Sequence, residues 1–71
     1  MKNIKICVVG LGYVGLPLAI EFGKKFETTG YDNSLSRIRA LKKNKDNNDE
    51  IKKQDFLKSK KIIFTNNIND I

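Results

Sequence analysis

Six residues, Gly10-Leu11-Gly12-Tyr13-Val14-Gly15, constrain this chain more than any other feature, because the apolar periodicity changes across them. Before them, residues 4–9 (IKICVV) form a short, nearly continuous apolar run rich in β-branched side chains. Bounded by Gly10, such a run predicts a strand buried on both faces, as parallel strands are. After them, residues 14–26 take up a helical period. Val14, Leu18 and Phe22 stand four apart, with Leu11, Gly15, Ala19 and Phe26 nearby, which predicts one apolar face of an amphipathic helix. Pro17 falls within the first turn, where its missing N–H costs nothing. Glu21 and Lys25 are spaced for an ion pair on the exposed side. Gly23 weakens the helix end, and Lys24 and Lys25 suit its negative pole.

The remaining residues repeat the alternation. Residues 27–32 (ETTGYD) predict a second short strand, and Ser34 an N-cap for a helix with Leu35, Ile38 and Leu41 on one face. Residues 44–50 (NKDNNDE) are polar and predict a turn. A helix over 49–60 follows, with Ile51, Phe56 and Leu57 poorly periodic. Residues 61–65 (KIIFT) predict a third strand, and 66–71 another turn and the start of a helix. Strand, helix, strand, helix, strand is the α/β pattern of half a doubly wound parallel sheet, the N-terminal half of a Rossmann fold. Right-handed crossovers give the strand order 3-2-1. The first strand would then lie at an open edge, an association hazard. The chain is therefore expected to form a homodimer, to swap, or to fold only loosely.

Length and composition narrow the function. Seventy-one residues allow one small domain at most, and a chain of that size buries only roughly 60% of its unfolded surface. With one cysteine and no histidine, neither a disulfide framework nor a metal cluster is expected. The apolar run ending at Gly10 is too short for a signal peptide, and nothing approaches a transmembrane span. A soluble, cytoplasmic protein with no membrane partner is expected. The formal charge of +6 comes mostly from lysines in the second half. Acidic and amide residues interrupt them, few aromatics interleave, and no nucleic-acid reader motif is present, so a nucleic-acid partner is not expected.

The chemistry concentrates in the glycine run, a G-x-G-x-x-G between strand and helix. Gly10 permits a tight turn, Gly12 lets the backbone approach a pyrophosphate, and Gly15 lets helix and strand pack closely. The helix N-terminus offers unpaired N–H groups and the positive end of its dipole to the phosphates. Tyr13 and Val14 would add their backbone N–H groups. Asp32 ends the second strand at about the separation of 20 residues expected for the acid that binds an adenosine ribose. A carboxylate there repels the 2′-phosphate of NADP and favours NAD; the alternative is that it only caps the following turn. Arg37, near the start of the second helix, is placed to reach the adenosine end or its phosphate, or is solvated. Cys7 has no histidine to act as its base and is expected to be an inert core residue.

The run GLGYVGLPLA from Gly10 to Ala19, followed by Glu21-Phe22-Gly23 and Thr29-Gly30-Tyr31-Asp32, resembles the start of UDP-glucose/GDP-mannose dehydrogenases. Within that family it is similar to the branch acting on UDP-N-acetylhexosamines in surface-polysaccharide synthesis. The resemblance extends through Arg37-Ile38 and Phe64-Thr65 to Asn69-Asp70-Ile71. It implies NAD contacts at Val14, Asp32 and Arg37 beside the glycine loop. It also implies a parent enzyme that oxidises a UDP-sugar at C6 to a uronate, with two NAD reduced per sugar. The family's catalytic cysteine and lysine match no residue of this chain, so residues 1–71 would be the N-terminal part of the NAD-binding domain and inactive alone. Asn33 departs from the family's usual apolar residue and predicts an early end to the second strand; Asn48 departs from a usual threonine. Two other readings remain: a nucleotide-sensing regulatory domain, and another NAD-dependent dehydrogenase of the hydroxyacid group.

Overall fold

A computed structural model describes residues 4–45 and 51–71. Three strands, β1 (Lys5–Val9), β2 (Glu27–Tyr31) and β3 (Ile62–Thr65), form a parallel sheet in the order β1-β2-β3. Helix α1 (Gly15–Gly23) connects β1 to β2. Helices α2 (Leu35–Lys42) and α3 (Lys53–Lys58) lie between β2 and β3, and a 3-10 turn (Ile68–Asp70) follows β3. The α/β alternation and the strand order agree with the sequence. β2 stops at Tyr31, before Asn33, and the helix over 49–60 contracts to Lys53–Lys58. The turn at 44–50 and the departure at Asn48 lie largely outside the described residues.

The core sits on one face of the sheet. Val8 of β1 and Phe64 of β3 join Leu16, Ala19 and Ile20 of α1, Ile38 and Leu41 of α2, Phe56 of α3, and Leu11 in one buried cluster. The opposite face carries Cys7, Thr29 and Ile63 in one cross-strand row and Val9, Tyr31 and Thr65 in the next. Cys7, Val9 and Ile63 are exposed there. The expected two-sided burial of β1 and the core placement of Cys7 are therefore both corrected. The buried positions of α1 and α2 share one cluster, so among the described residues both helices cover the same face.

Helix α1 also presents a different stripe from the one its sequence suggests. Leu16, Ala19, Ile20 and Gly23 are buried, whereas Leu18 is exposed and Val14 is 81% exposed. Both stripes are apolar, so periodicity alone could not choose between them. Two glycines set the helix rotation. A methyl group on Gly15 would overlap the Gly10 carbonyl oxygen, and one on Gly23 would overlap Ser59 Oγ and come within 2.8 Å of Ile62 Cβ. Only glycine permits these approaches, so Gly23 is a packing residue rather than simply a weak helix end. Ser59 Oγ donates to Ile20 O at 2.8 Å, and the Lys61 N–H donates to Gly23 O at 2.9 Å, tying α1 to the segment before β3.

The ion pair on α1 differs as well. Lys24, not Lys25, reaches Glu21 Oε2 at 2.7 Å, and it also meets Asp55 Oδ1 of α3 at 3.2 Å. In α2, Ser34 is the N-cap: its hydroxyl accepts from the Arg37 N–H at 3.3 Å, as expected. Ile38 and Leu41 are buried, but Leu35 is exposed, because it lies at the first helical position and clears the sheet.

Gly15→Ala should cost about 1–3 kcal/mol of stability, the usual scale of overpacking. Gly23→Ala should cost less, because its nearest obstacle is a serine side chain rather than a backbone carbonyl. Thermal unfolding of the two variants beside the parent checks the order. Equal stability of Gly15→Ala and the parent would refute the packing argument.

Candidate functional site

The glycine loop runs from the end of β1 into α1, and its three glycines meet different constraints. Gly10 has φ +92°, a left-handed backbone that side chains rarely adopt, and its N–H donates to Tyr31 O at 2.8 Å. Gly15 packs under the Gly10 carbonyl. Gly12 meets neither constraint: a Cβ built there has nothing within 4 Å. The fold therefore requires Gly10 and Gly15, whereas at Gly12 the absence of a side chain keeps the backbone open from outside.

The mouth of α1 is equally open. The Leu16 N–H closes on Gly12 O at 3.1 Å, the N-cap Val14 makes no side-chain cap, and the first turn holds no acidic residue. Pro17 contributes no donor. Tyr13 is 69% exposed and Val14 more so, so the side chains stand clear of the loop backbone they belong to. A helix N-terminus with its donors uncapped is chemically suited to an anion.

Asp32 stands beside this loop, one residue beyond β2. Its Oδ2 accepts from the Leu11 N–H at 3.0 Å, and its Oδ1 accepts from the Ser34 N–H at 2.9 Å. It thus caps the following turn and holds the glycine loop at once. Two of the roughly four acceptor positions of a carboxylate are used, which leaves capacity for two hydroxyls. The Leu11 amide, then the Ser34 amide, and lastly the charge of Arg37 hold the carboxyl below its ordinary value against a desolvation penalty. Asp32 is therefore ionised at neutral pH and acts as an acceptor. A cleft of about 180 Å³ opens between it and Val9, Gly10, Tyr31 and Asn33.

Arg37 reaches back to the loop backbone. Its Nε and Nη2 donate to Leu11 O at 3.0 and 2.8 Å. The sequence singled out Arg37 but gave no sign of this carbonyl as its target. The same reading missed Leu11, whose side chain is fully buried against Gly30 and whose N–H and C=O are both held. A large apolar leucine between two glycines was the available signal. A larger cleft of about 320 Å³, lined by Leu41, Phe56, Ser59 and Phe64 among others, lies away from the loop. Among the described residues no helix is long and apolar enough to cross a membrane.

Because the folded state favours the ionised form of Asp32, its contribution to stability is present above the ordinary carboxylate range and is lost as pH falls through its lowered value. Urea midpoints measured at neutral pH and near about pH 3 should show this loss in the parent chain. Asp32→Asn should start about 1–3 kcal/mol less stable at neutral pH and lose less on acidification. An unchanged pH slope in that variant would contradict the assignment.

The chain is similar in sequence and fold to known proteins. The sequence is 44% identical over its whole length to a UDP-N-acetyl-D-glucosamine 6-dehydrogenase of Pseudomonas aeruginosa, of which it covers 17%. It is 46% identical to Protein CapL of Staphylococcus aureus over 97% of this chain and 16% of that protein. A solved structure of a UDP-D-ManNAc dehydrogenase from Pyrococcus horikoshii superposes with a TM-score of 0.75 at 28% identity, over 94% of this chain and 17% of that one. The UDP-N-acetyl-mannosamine dehydrogenase Cap5O from S. aureus gives 0.73 at 30% identity, over 87% of this chain and 16% of that one. The chain thus spans about a sixth of the length of these relatives. Residues 4–70 match the NAD binding domain of the UDP-glucose/GDP-mannose dehydrogenases, and the chain belongs to that family.

Proposed function

We propose that residues 1–71 are the N-terminal part of the NAD-binding domain of a dehydrogenase that oxidises C6 of a UDP-N-acetylhexosamine to a uronate. Gly12 is the observation that carries this reading. It is a glycine that the fold itself does not demand, at an uncapped helix mouth, beside an ionised Asp32. A dinucleotide accounts for all three, because its diphosphate needs close backbone approach and its ribose needs an acceptor.

In this reading the backbone N–H groups of Gly12, Tyr13, Val14 and Gly15 hold the diphosphate, and Gly10 shapes the turn. Asp32 accepts the adenosine ribose hydroxyls on the acceptor positions its two amide bonds leave over. Its charge disfavours a 2′-phosphate, so NAD is selected over NADP. Arg37 completes the set beside the loop. Bound NAD supplies the hydride acceptor. No catalytic residue is assigned within these residues, and the chain alone is expected to be inactive. The relatives' names support the UDP-N-acetylhexosamine substrate, and the family resemblance supports a role in surface-polysaccharide synthesis in the cytoplasm. The exposed row of Cys7 and Ile63 and the open side of β1 support a homodimer.

Titration with NAD and NADP, followed at the amides of Gly12 to Gly15, should show weak binding with NAD preferred, and Asp32→Ala should lose that preference. Gly12→Ala should keep its stability within about 0.5 kcal/mol yet bind NAD at least about tenfold more weakly, because a methyl group there meets only the ligand. Equal shifts from both cofactors in the parent, or undiminished NAD binding by Gly12→Ala, would overturn the site.

A further inference from the structure

Leu11 is held at three points. Its side chain is fully buried, with its terminal methyls placed against the Cα side of Gly30; its N–H meets Asp32; and its carbonyl accepts two bonds from Arg37. The two peptide groups flanking Leu11 are planar and trans, so in each the N–H points opposite to the C=O. The first group directs its N–H to Asp32 and its carbonyl, that of Gly10, toward Gly15. The second directs its carbonyl to Arg37, and its N–H, that of Gly12, must therefore point the other way. Gly12 itself stands in the open, since a Cβ there would meet nothing within 4 Å.

We infer that Arg37 is a positioning residue, which aims the Gly12 N–H at the diphosphate by gripping the Leu11 carbonyl. The inference rests on the NAD-binding reading and gives Arg37 a positioning role in addition to its place beside the cofactor. The planar guanidinium suits the task, because Nε and Nη2 converge on the one carbonyl oxygen and hold it with two donors in a rigid group, whereas an ammonium on a flexible stem is a single point charge. Asp32 works on the neighbouring peptide from the opposite end. The acid expected at the ribose and the loop expected at the diphosphate are thus joined through one residue, and a disturbance at either is transmitted to the other.

The charge-conserving variant Arg37→Lys separates this role from simple attraction between a cation and phosphates. In the 71-residue chain, titrations with ADP, with adenosine and with NAD should show Arg37→Lys weakening ADP and NAD on the order of tenfold and adenosine much less. Without ligand, hydrogen exchange at the Leu11 amide should accelerate in Arg37→Lys. The Thr28 amide, bonded to Lys61 O within the sheet, should keep its rate, which a general loss of stability would not allow. Full ADP affinity in Arg37→Lys would mean that charge alone matters and would overturn the inference. Equal losses for adenosine and ADP would overturn it in favour of direct contact with the adenosine end. An unchanged Leu11 exchange rate in Arg37→Lys would refute the grip itself. A parent chain that binds neither ADP nor NAD would instead remove the NAD reading, and the exchange rates would still judge whether Arg37 orders the loop.

Discussion

The Gly10 carbonyl oxygen lies against the Cα of Gly15, and the rest of the molecule is arranged around that contact. It brings the first turn of α1 against the end of β1, closer than any side chain would allow. The approach fixes both the distance of the helix from the sheet and its rotation, with Gly23 making a second close contact, against Ser59 and Ile62, at the last residue of the helix. Leu16, Ala19 and Ile20 are then buried in the core, and the mouth of the helix is left without a side-chain cap. Core packing and ligand geometry are consequences of the same placement.

A second constraint acts across the strands rather than along them. Leu11 anchors the loop in the core by its side chain, while Asp32 and Arg37, from the end of β2 and the start of α2, hold its two polar groups. Residues 21 and 26 positions beyond Leu11 thereby hold the two peptide groups that flank it. Leaving those groups unheld would expose buried amide polarity at a cost in free energy. Holding them gives a loop whose shape does not depend on the ligand, which lowers the ordering entropy that binding must overcome. Asp32 carries both duties because a carboxylate has more acceptor positions than two amides use.

The sheet is covered on one face only among the described residues. The face bearing Cys7, Val9 and Ile63 is apolar enough for an interior, and its sequence reads as one. An apolar strand records that its side chains suit a core; it does not record which other elements are present to provide that core. Cys7 illustrates the difference: chemically inert by its surroundings in sequence, yet exposed in the fold.

Local chemistry made much of the molecule legible in advance. The order of strands and helices followed from the change between near-continuous and helical periodicity, the N-cap from Ser34, and the diphosphate loop from glycines set between the two periods. Asp32 was legible because the distance along one helix and one strand places the end of β2 beside the loop. What required the tertiary structure were choices between equally apolar or equally polar partners. These include which stripe of α1 is buried, whether Glu21 pairs with Lys24 or Lys25, what Arg37 holds, and whether both faces of β1 are covered. The physical reason is common to them. Periodicity and capping are properties of residues near one another in the chain, whereas helix rotation, ion-pair choice and the grip on Leu11 depend on how closely two backbones approach. That distance is set where Gly15 meets the Gly10 carbonyl and Gly23 meets Ser59 and Ile62, close contacts that the sequence pattern does not carry.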